Sequence, residues 1–284
     1  MHEQAHPGQC AGPEKARANR SGLTTMKKIF DRIYSDYMMP SRLEHHEKIL
    51  VAASNAGYTH TSMRDFFESM KAGATPSDNV ILHRHDIDTD VRTARRLFQI
   101  EKKYKVKSSY YFRLCTLDVD LMNEIEEYGS EASYHYEELA TFAKKHNIKD
   151  PAVLHERLPE IRDDFLKNFQ LLERRLGRKM VTVASHGDFA NRRLKLSNTE
   201  ILRCPMLRNA CGIECEAYDE ELLGHFGVYI SDRPPPQYYY PISPLDAIRN
   251  HSRVYLLTHP RQFDTNWKEN TKSNLVRFYE GLTW

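Results

Sequence analysis

Short apolar runs alternate with amphipathic stretches along most of the chain. Val80-Ile81-Leu82 opens one strand. Others are expected at 108–112, 131–135, 180–184, 227–231 and 254–258, each a few residues of β-branched, aromatic or aliphatic character. Between them the period changes to that of a helix. Val91, Ala94, Leu97 and Phe98 form one buried stripe over 90–104, with Thr89 or Asp90 as N-cap. A helix over 121–128 stops at Gly129, and another runs over 137–146. A third covers 152–176, interrupted near Pro159 and ended by Gly177. The segment 194–225 is irregular, 234–240 is a Pro- and Tyr-rich loop, and 266–280 is a closing helix.

Two helices precede this alternation. Ile29, Ile33, Tyr34 and Tyr37 share one face, and Pro40-Ser41 restarts a second helix through Leu43, Ile49, Leu50 and Ala53. His45 and His46, among Glu44, Glu47 and Lys48, read as solvated histidines. Strands separated by helical segments of ten or more residues imply parallel crossovers, hence one α/β barrel-like domain over 26–284 without repeat or long linker. Residues 1–25 read as a disordered tail or a non-native extension, with no basic-then-apolar secretory design.

Composition narrows the function classes. The 41 basic and 39 acidic residues are too nearly balanced to mark a nucleic-acid or membrane footprint. No apolar run approaches the ~18 residues of a membrane span, so a cytoplasmic protein without a membrane span or nucleic-acid partner is expected. Of five cysteines, Cys10 lies in the tail and Cys115 in a strand, while Cys204, Cys211 and Cys215 lack a paired C-x2-C knuckle. They read as free thiols.

The chemistry gathers at the C-terminal ends of the expected strands, where parallel α/β folds build their sites. Asp86 and Asp88 follow Ile81-Leu82, His135 ends the third strand, and Ser185-His186-Gly187 the fourth. Asp232 and His259 end the last two. Alternation puts Asp86 and Asp88 on one face, where their mutual repulsion calls for a cation or a proton. With a metal present, one acid would ligate it and the other would take a proton from water; helix capping explains only one of the pair. His135 suits a zinc-type ligand or a satisfied core histidine. His186 is open to reading as ligand, substrate contact or structural histidine, with the ligand reading preferred. His259 is held extended by Pro260 and suits a general acid.

These motifs resemble the polysaccharide deacetylase family (carbohydrate esterase family four, the NodB-homology fold) over roughly 55–275. The resemblance rests on Leu82-His83-Arg84-His85-Asp86-Ile87-Asp88, on 129–137 ending in His135-Tyr136-Glu137, on Ala184-Ser185-His186-Gly187, and on Leu256-Leu257-Thr258-His259-Pro260. It implies a distorted (β/α) barrel that removes acetyl groups from amino sugars or polysaccharide precursors with a divalent metal, most commonly zinc. It implies Asp86 as base, Asp88 and His135 as ligands, and His259 as acid. The family's second histidine ligand falls at Leu139, so His186 is first choice for the third ligand, with Glu137 or Glu138 behind it. The family's Arg-Pro-Pro segment is also missing. Arg84 is expected to hold Asp86 ionised or to make a core salt bridge, and to line the substrate site with Asp232 and Tyr238; the tyrosine-rich loop would stack on sugar rings or simply pack. A hydrolase of a non-sugar amide and a non-catalytic glycan- or partner-binding relative are the rival readings.

Overall fold

The computed structural model describes residues 29–73 and 79–284. The tail at 1–25 and Cys10 lie outside the described residues. At the centre of the sheet is β2 (Val80–Ile87), eight buried residues of which four are apolar. The expected short apolar strand therefore runs on through His83-Arg84-His85-Asp86. Its polar residues tolerate burial only because each finds a partner.

On one side β2 pairs with β1 (Thr59–Thr61) along its first half and with β3 (Ser109–Phe112) along its second. Beyond β3 come β4 (Glu131–Tyr136), β5 (Thr182–Ser185) and β6 (Cys215–Glu216). On the other side β2 pairs with β9 (Arg253–Thr258), then come β7 (Val228–Asp232) and β8 (Tyr239–Tyr240). All pairings are parallel except β7 with β8. Parallel pairing aligns the C-terminal ends of β2, β3, β4, β5, β7 and β9 on one rim, which is where the site lies.

The sheet curls. Leu82, Tyr111, Ala184, Cys215 and Tyr255, from five strands, meet in one interior cluster plugged by Met63 and Phe66 of helix Met63–Lys71. The Tyr255 hydroxyl reaches the Ala217 carbonyl, and Arg84 Nη2 reaches the Tyr218 hydroxyl at 3.2 Å, so the β6 edge folds over β2 and β9. Among the described residues β6 pairs with neither β7 nor β8, so the hydrogen-bond ladder stays open there. Alternation on β2 sends Leu82, Arg84 and Asp86 inward, and Ile81, His83, His85 and Ile87 outward. Outside, helices Val91–Lys103, Val119–Glu127, Glu138–Lys145 and Leu158–Leu176 cover β3 to β5. Helices Leu43–Asn55 and Pro244–Asn250 cover β7 and β9.

Several expectations are corrected. Tyr239–Tyr240 is a strand rather than loop, because it pairs antiparallel with Ser231 and Asp232. Cys115 lies in the 3-10 turn Leu114–Thr116, exposed, since β3 ends at Phe112. The stripe Ile29, Ile33, Tyr34, Tyr37 is exposed. The turn Tyr34–Met38 instead buries Ser35 and Asp36, whose carboxylate takes Arg261 Nη2 at 2.6 Å and Asn274 Nδ2 at 3.0 Å. His46 is not solvated: it is fully buried, with Nε2 3.2 Å from Glu101 Oε1. The long helix breaks at Arg157, with Pro159 in the first turn of its second part, where a missing N–H costs nothing.

Candidate functional site

The site starts from an ion pair within β2. Arg84 and Asp86 are two residues apart and so share the inner face. Arg84 Nε donates to Asp86 Oδ1 at 2.8 Å, and Nη2 to Oδ2 at 2.7 Å. Both side chains are essentially inaccessible. Burial alone would raise the pKa of Asp86, but the charges of Arg84 and then His135 hold it below the usual carboxylate range. Arg84 therefore keeps Asp86 ionised. Being fully buried, it does not line the substrate site as expected.

One step beyond the end of β2, Asp88 Oδ1 meets two imidazoles from other strands. It lies 3.3 Å from His135 Nε2, near the end of β4, and 3.5 Å from His186 Nε2, just past β5. The Nδ1 of His135 hydrogen-bonds the Ala184 carbonyl at 2.9 Å. A carbonyl only accepts, so Nδ1 carries a proton and the ring turns Nε2 toward Asp88. The Nδ1 of His186 lies at ion-pair distance, 3.1 Å, from Glu137 Oε2. Arg113 in turn grips Glu137 with Nε at 3.0 Å and Nη2 at 2.7 Å, and donates Nη1 to the Asp88 carbonyl at 3.0 Å. Burial would raise the pKa of Glu137, but His186 and Arg113 bring it down to about 2.

Asp88, His135 and His186 thus form a group whose three ligand atoms lie within 4.8 Å of one another. Their spacing is that of two ligands in a tetrahedral zinc site with bonds of ~2.0–2.1 Å. Asp88 Oδ1 is buried without a hydrogen-bond partner among the described residues. A buried carboxylate oxygen facing two imidazole nitrogens at these distances calls for positive charge among them, which a metal cation or imidazolium protons supply. The residues fit a divalent metal. Burial would raise the pKa of Asp88, but His186, His135 and His259 hold it well below the ordinary value.

His259 faces this centre from the end of β9, with Nε2 4.0 Å from Asp88 Oδ2. Asp232, the last residue of β7, accepts from the backbone N–H of His259 and from its Nδ1, both at 2.6 Å. Burial would lower the pKa of His259, but Asp232, then Asp88 and Asp86, raise it to about 10. Its carboxylate is inaccessible and both oxygens are engaged by His259, so Asp232 orients that ring.

Tyr238 lies elsewhere. Its ring sits under the Arg42 guanidinium, 4.1 Å from the centroid, and packs on the outer cluster of Ile230 and Ile248. It does not line the cleft above Asp88. Tyr238 and Tyr239 pack on the outside of the sheet, whereas Tyr240 is exposed beside Arg233. Glu138 is also turned away, bonded to Tyr134 and to Asn168 Nδ2. Leu139 is buried in the outer core. Sequence reasoning missed Arg113, although it directly follows β3 and so obeys the strand-end rule applied to the histidines. A second candidate metal group, His46, His85 and Glu101, is fully buried on the other face of β2.

No protein-family model matches the chain, and no curated protein does. Among solved structures it is similar to the deacetylase PplD of Streptococcus pyogenes in complex with acetate, at 15% identity and a TM-score of 0.38. That match covers 54% of this chain and 68% of PplD. It is also similar to a CE4 family pseudoenzyme from Bacillus anthracis, at 14% identity and a TM-score of 0.42. There the match covers 74% of this chain and 63% of the pseudoenzyme's length.

Proposed function

We propose that the chain is a metal-dependent hydrolase with a distorted barrel of the polysaccharide deacetylase type, removing an acetyl group from the nitrogen of an amino sugar. The observation that carries this reading is the convergence of Asp88, His135 and His186 between two differently equipped groups, Asp86 with Arg84 and His259 with Asp232. A binding cleft needs no such division. The sugar rests on the motif resemblance, and the hydrolysis on the geometry.

Asp88 Oδ1, His135 Nε2 and His186 Nε2 would hold the metal. A divalent ion, zinc by this donor set, would polarise the acyl carbonyl and lower the pKa of water toward ~7. Asp86, held ionised by Arg84, takes the proton of the attacking water on a carboxylate oxygen. His259 donates from Nε2 to the departing amine nitrogen, because Nδ1 is committed to Asp232. Glu137 and Arg113 hold the His186 ring in the orientation that presents Nε2.

The test is to purify the protein, measure bound zinc, and follow acetate release from N-acetylated sugars with the native chain and Asp86→Asn. Stoichiometric zinc and acetate release lost in the variant support the reading. No zinc and no hydrolysis across a panel of sugar and non-sugar amides would sink it.

A further inference from the structure

Above Asp88 and His186 opens a cleft of about 750 Å³. That is ample for more than one sugar ring, since ligand sites run to roughly 300–1,000 Å³. Its charge does not follow the chain's. The whole sequence balances 41 basic residues against 39 acidic, whereas the cleft lining holds seven Lys or Arg and four Asp or Glu. One of those four, Asp88, belongs to the metal centre.

The excess is also unneutralised. Arg32, Arg113 and Lys144 are paired, the first with Asp36, the second with Glu137 and the third with Asp188 and Glu280. Arg192, Arg233, Lys272 and Arg277 are exposed and make no ion pair or side-chain hydrogen bond among the described residues. They come from three separate walls. Arg192 is on helix Phe189–Leu194 after β5, Arg233 directly follows β7, and Lys272 and Arg277 are on helix Trp267–Thr283. Desolvation first, then the repulsion of Arg261, Arg32 and Arg113, lower the pKa of Arg277 against the attraction of Asp88. Like charges gathered around one cavity oppose each other, and an anion relieves them. A neutral glycan offers them hydrogen-bond acceptors but no charge to offset their own. A single carboxylate occupies one arginine fork, whereas a phosphate or diphosphate offers oxygens in several directions and accepts forks from more than one wall.

Building on the proposed hydrolysis, we infer that the substrate is a phosphate ester of an N-acetylated amino sugar, its phosphate held by Arg192, Arg233, Lys272 and Arg277 while the acetamide faces Asp88. A sugar phosphate and a nucleotide-diphosphate sugar share this chemistry.

Calorimetric titration of the zinc-loaded full chain with N-acetylglucosamine 1-phosphate, UDP-N-acetylglucosamine and di-N-acetylchitobiose separates the sources and tests the idea. At least one phosphate-bearing probe is expected to bind tenfold or more tighter than chitobiose at low salt, with the margin shrinking at ~0.5 M salt. The exposed double substitution Arg233→Gln/Arg277→Gln should remove that margin, and Lys167→Gln, outside the cleft, should leave it. Thermal unfolding checks that the double variant is folded. Equal binding of all three probes, or a margin untouched by the double variant, overturns the inference. Tight phosphate-dependent binding without acetate release leaves it standing and fells the hydrolase reading. Acetate release from chitobiose as fast as from the phosphate esters does the reverse.

Discussion

Arg84 and Asp86, two residues apart on β2, form a buried, two-pronged ion pair. Such a pair costs more to lose by halves than whole. Arg84→Met would leave a buried carboxylate unpaired and should cost about 3–5 kcal/mol of stability. The double variant Arg84→Met/Asp86→Asn should recover much of this. Urea unfolding of the native chain, both single variants and the double variant measures the coupling. Simple additivity would show that Arg84 does not neutralise Asp86.

The convergence of Asp88, His135 and His186 predicts how metal is lost. His135→Ala and His186→Ala should each weaken zinc by more than about 100-fold, since each removes a ligand. Glu137→Gln should weaken it by ~10–100-fold, by loosening the His186 ring that Glu137 orients. Competition with a chelating dye gives all three constants. Unchanged zinc affinity in His186→Ala would remove that residue from the centre and turn attention to Glu137. Chelation of the native protein should abolish acetate release, and added zinc should restore it.

Much of this site follows from one local rule, that polar residues at parallel-strand ends share a mouth. Short-range alternation is enough to find such ends, and it singled out Asp88, His135, His186, Asp232 and His259. What each of them touches depends on partners distant in sequence. Asp232 is read as a substrate group until β7 and β9 pair and bring His259 onto it. The cationic cleft was invisible for the same reason, because Arg192, Arg233 and Arg277 meet only after the last helix returns across the rim. Helix Met63–Lys71 and strand β1 left too short a pattern to separate from loop. His46 misled because its charged neighbours describe the exposed face of its helix, while its own position faces Glu101.

Asp232 holds the His259 imidazole protonated. With its pKa raised to about 10 from an ordinary 6.5, His259 remains an acid throughout the neutral range. Its stabilisation is complete below about pH 6.5 and disappears as pH rises through about 10. A cation at Asp88 offsets the Asp88 share of the shift and leaves that of Asp232. Asp232→Asn should therefore move the basic limb of kcat/KM down by at least about one pH unit. A limb at the same pH in both proteins would assign it to another group.

Glu216, at the end of β6, predicts the opposite trend to the ionised carboxylates around the metal centre. It is buried, with Oε1 accepting from the Ser185 N–H at 2.8 Å and Oε2 from the Tyr218 N–H at 2.7 Å. Burial pushes its pKa up to about 7 from an ordinary 4.5, against the opposing pull of those N–H groups and of Arg84. Below pH 4.5 the group is protonated in both folded and unfolded chains, and its contribution is complete. Between 4.5 and 7 the unfolded chain ionises first, so the native state binds more protons and stability falls as pH rises, by at most ~1.4 kcal/mol per pH unit. Above 7 both forms are ionised and the loss is complete. Glu216→Gln cannot titrate, so its penalty for turning an amide N–H₂ toward the Tyr218 N–H is constant with pH. The stability difference between native and variant chains, followed by urea unfolding from pH 4 to 8, should thus decline across 4.5–7 and level off above. The subtraction removes Asp86, Asp88 and Glu137, whose lowered pKa values make them lose stability as pH falls. A flat difference would show that Glu216 ionises at an ordinary pH, and that β6 is open to water at the sheet's edge.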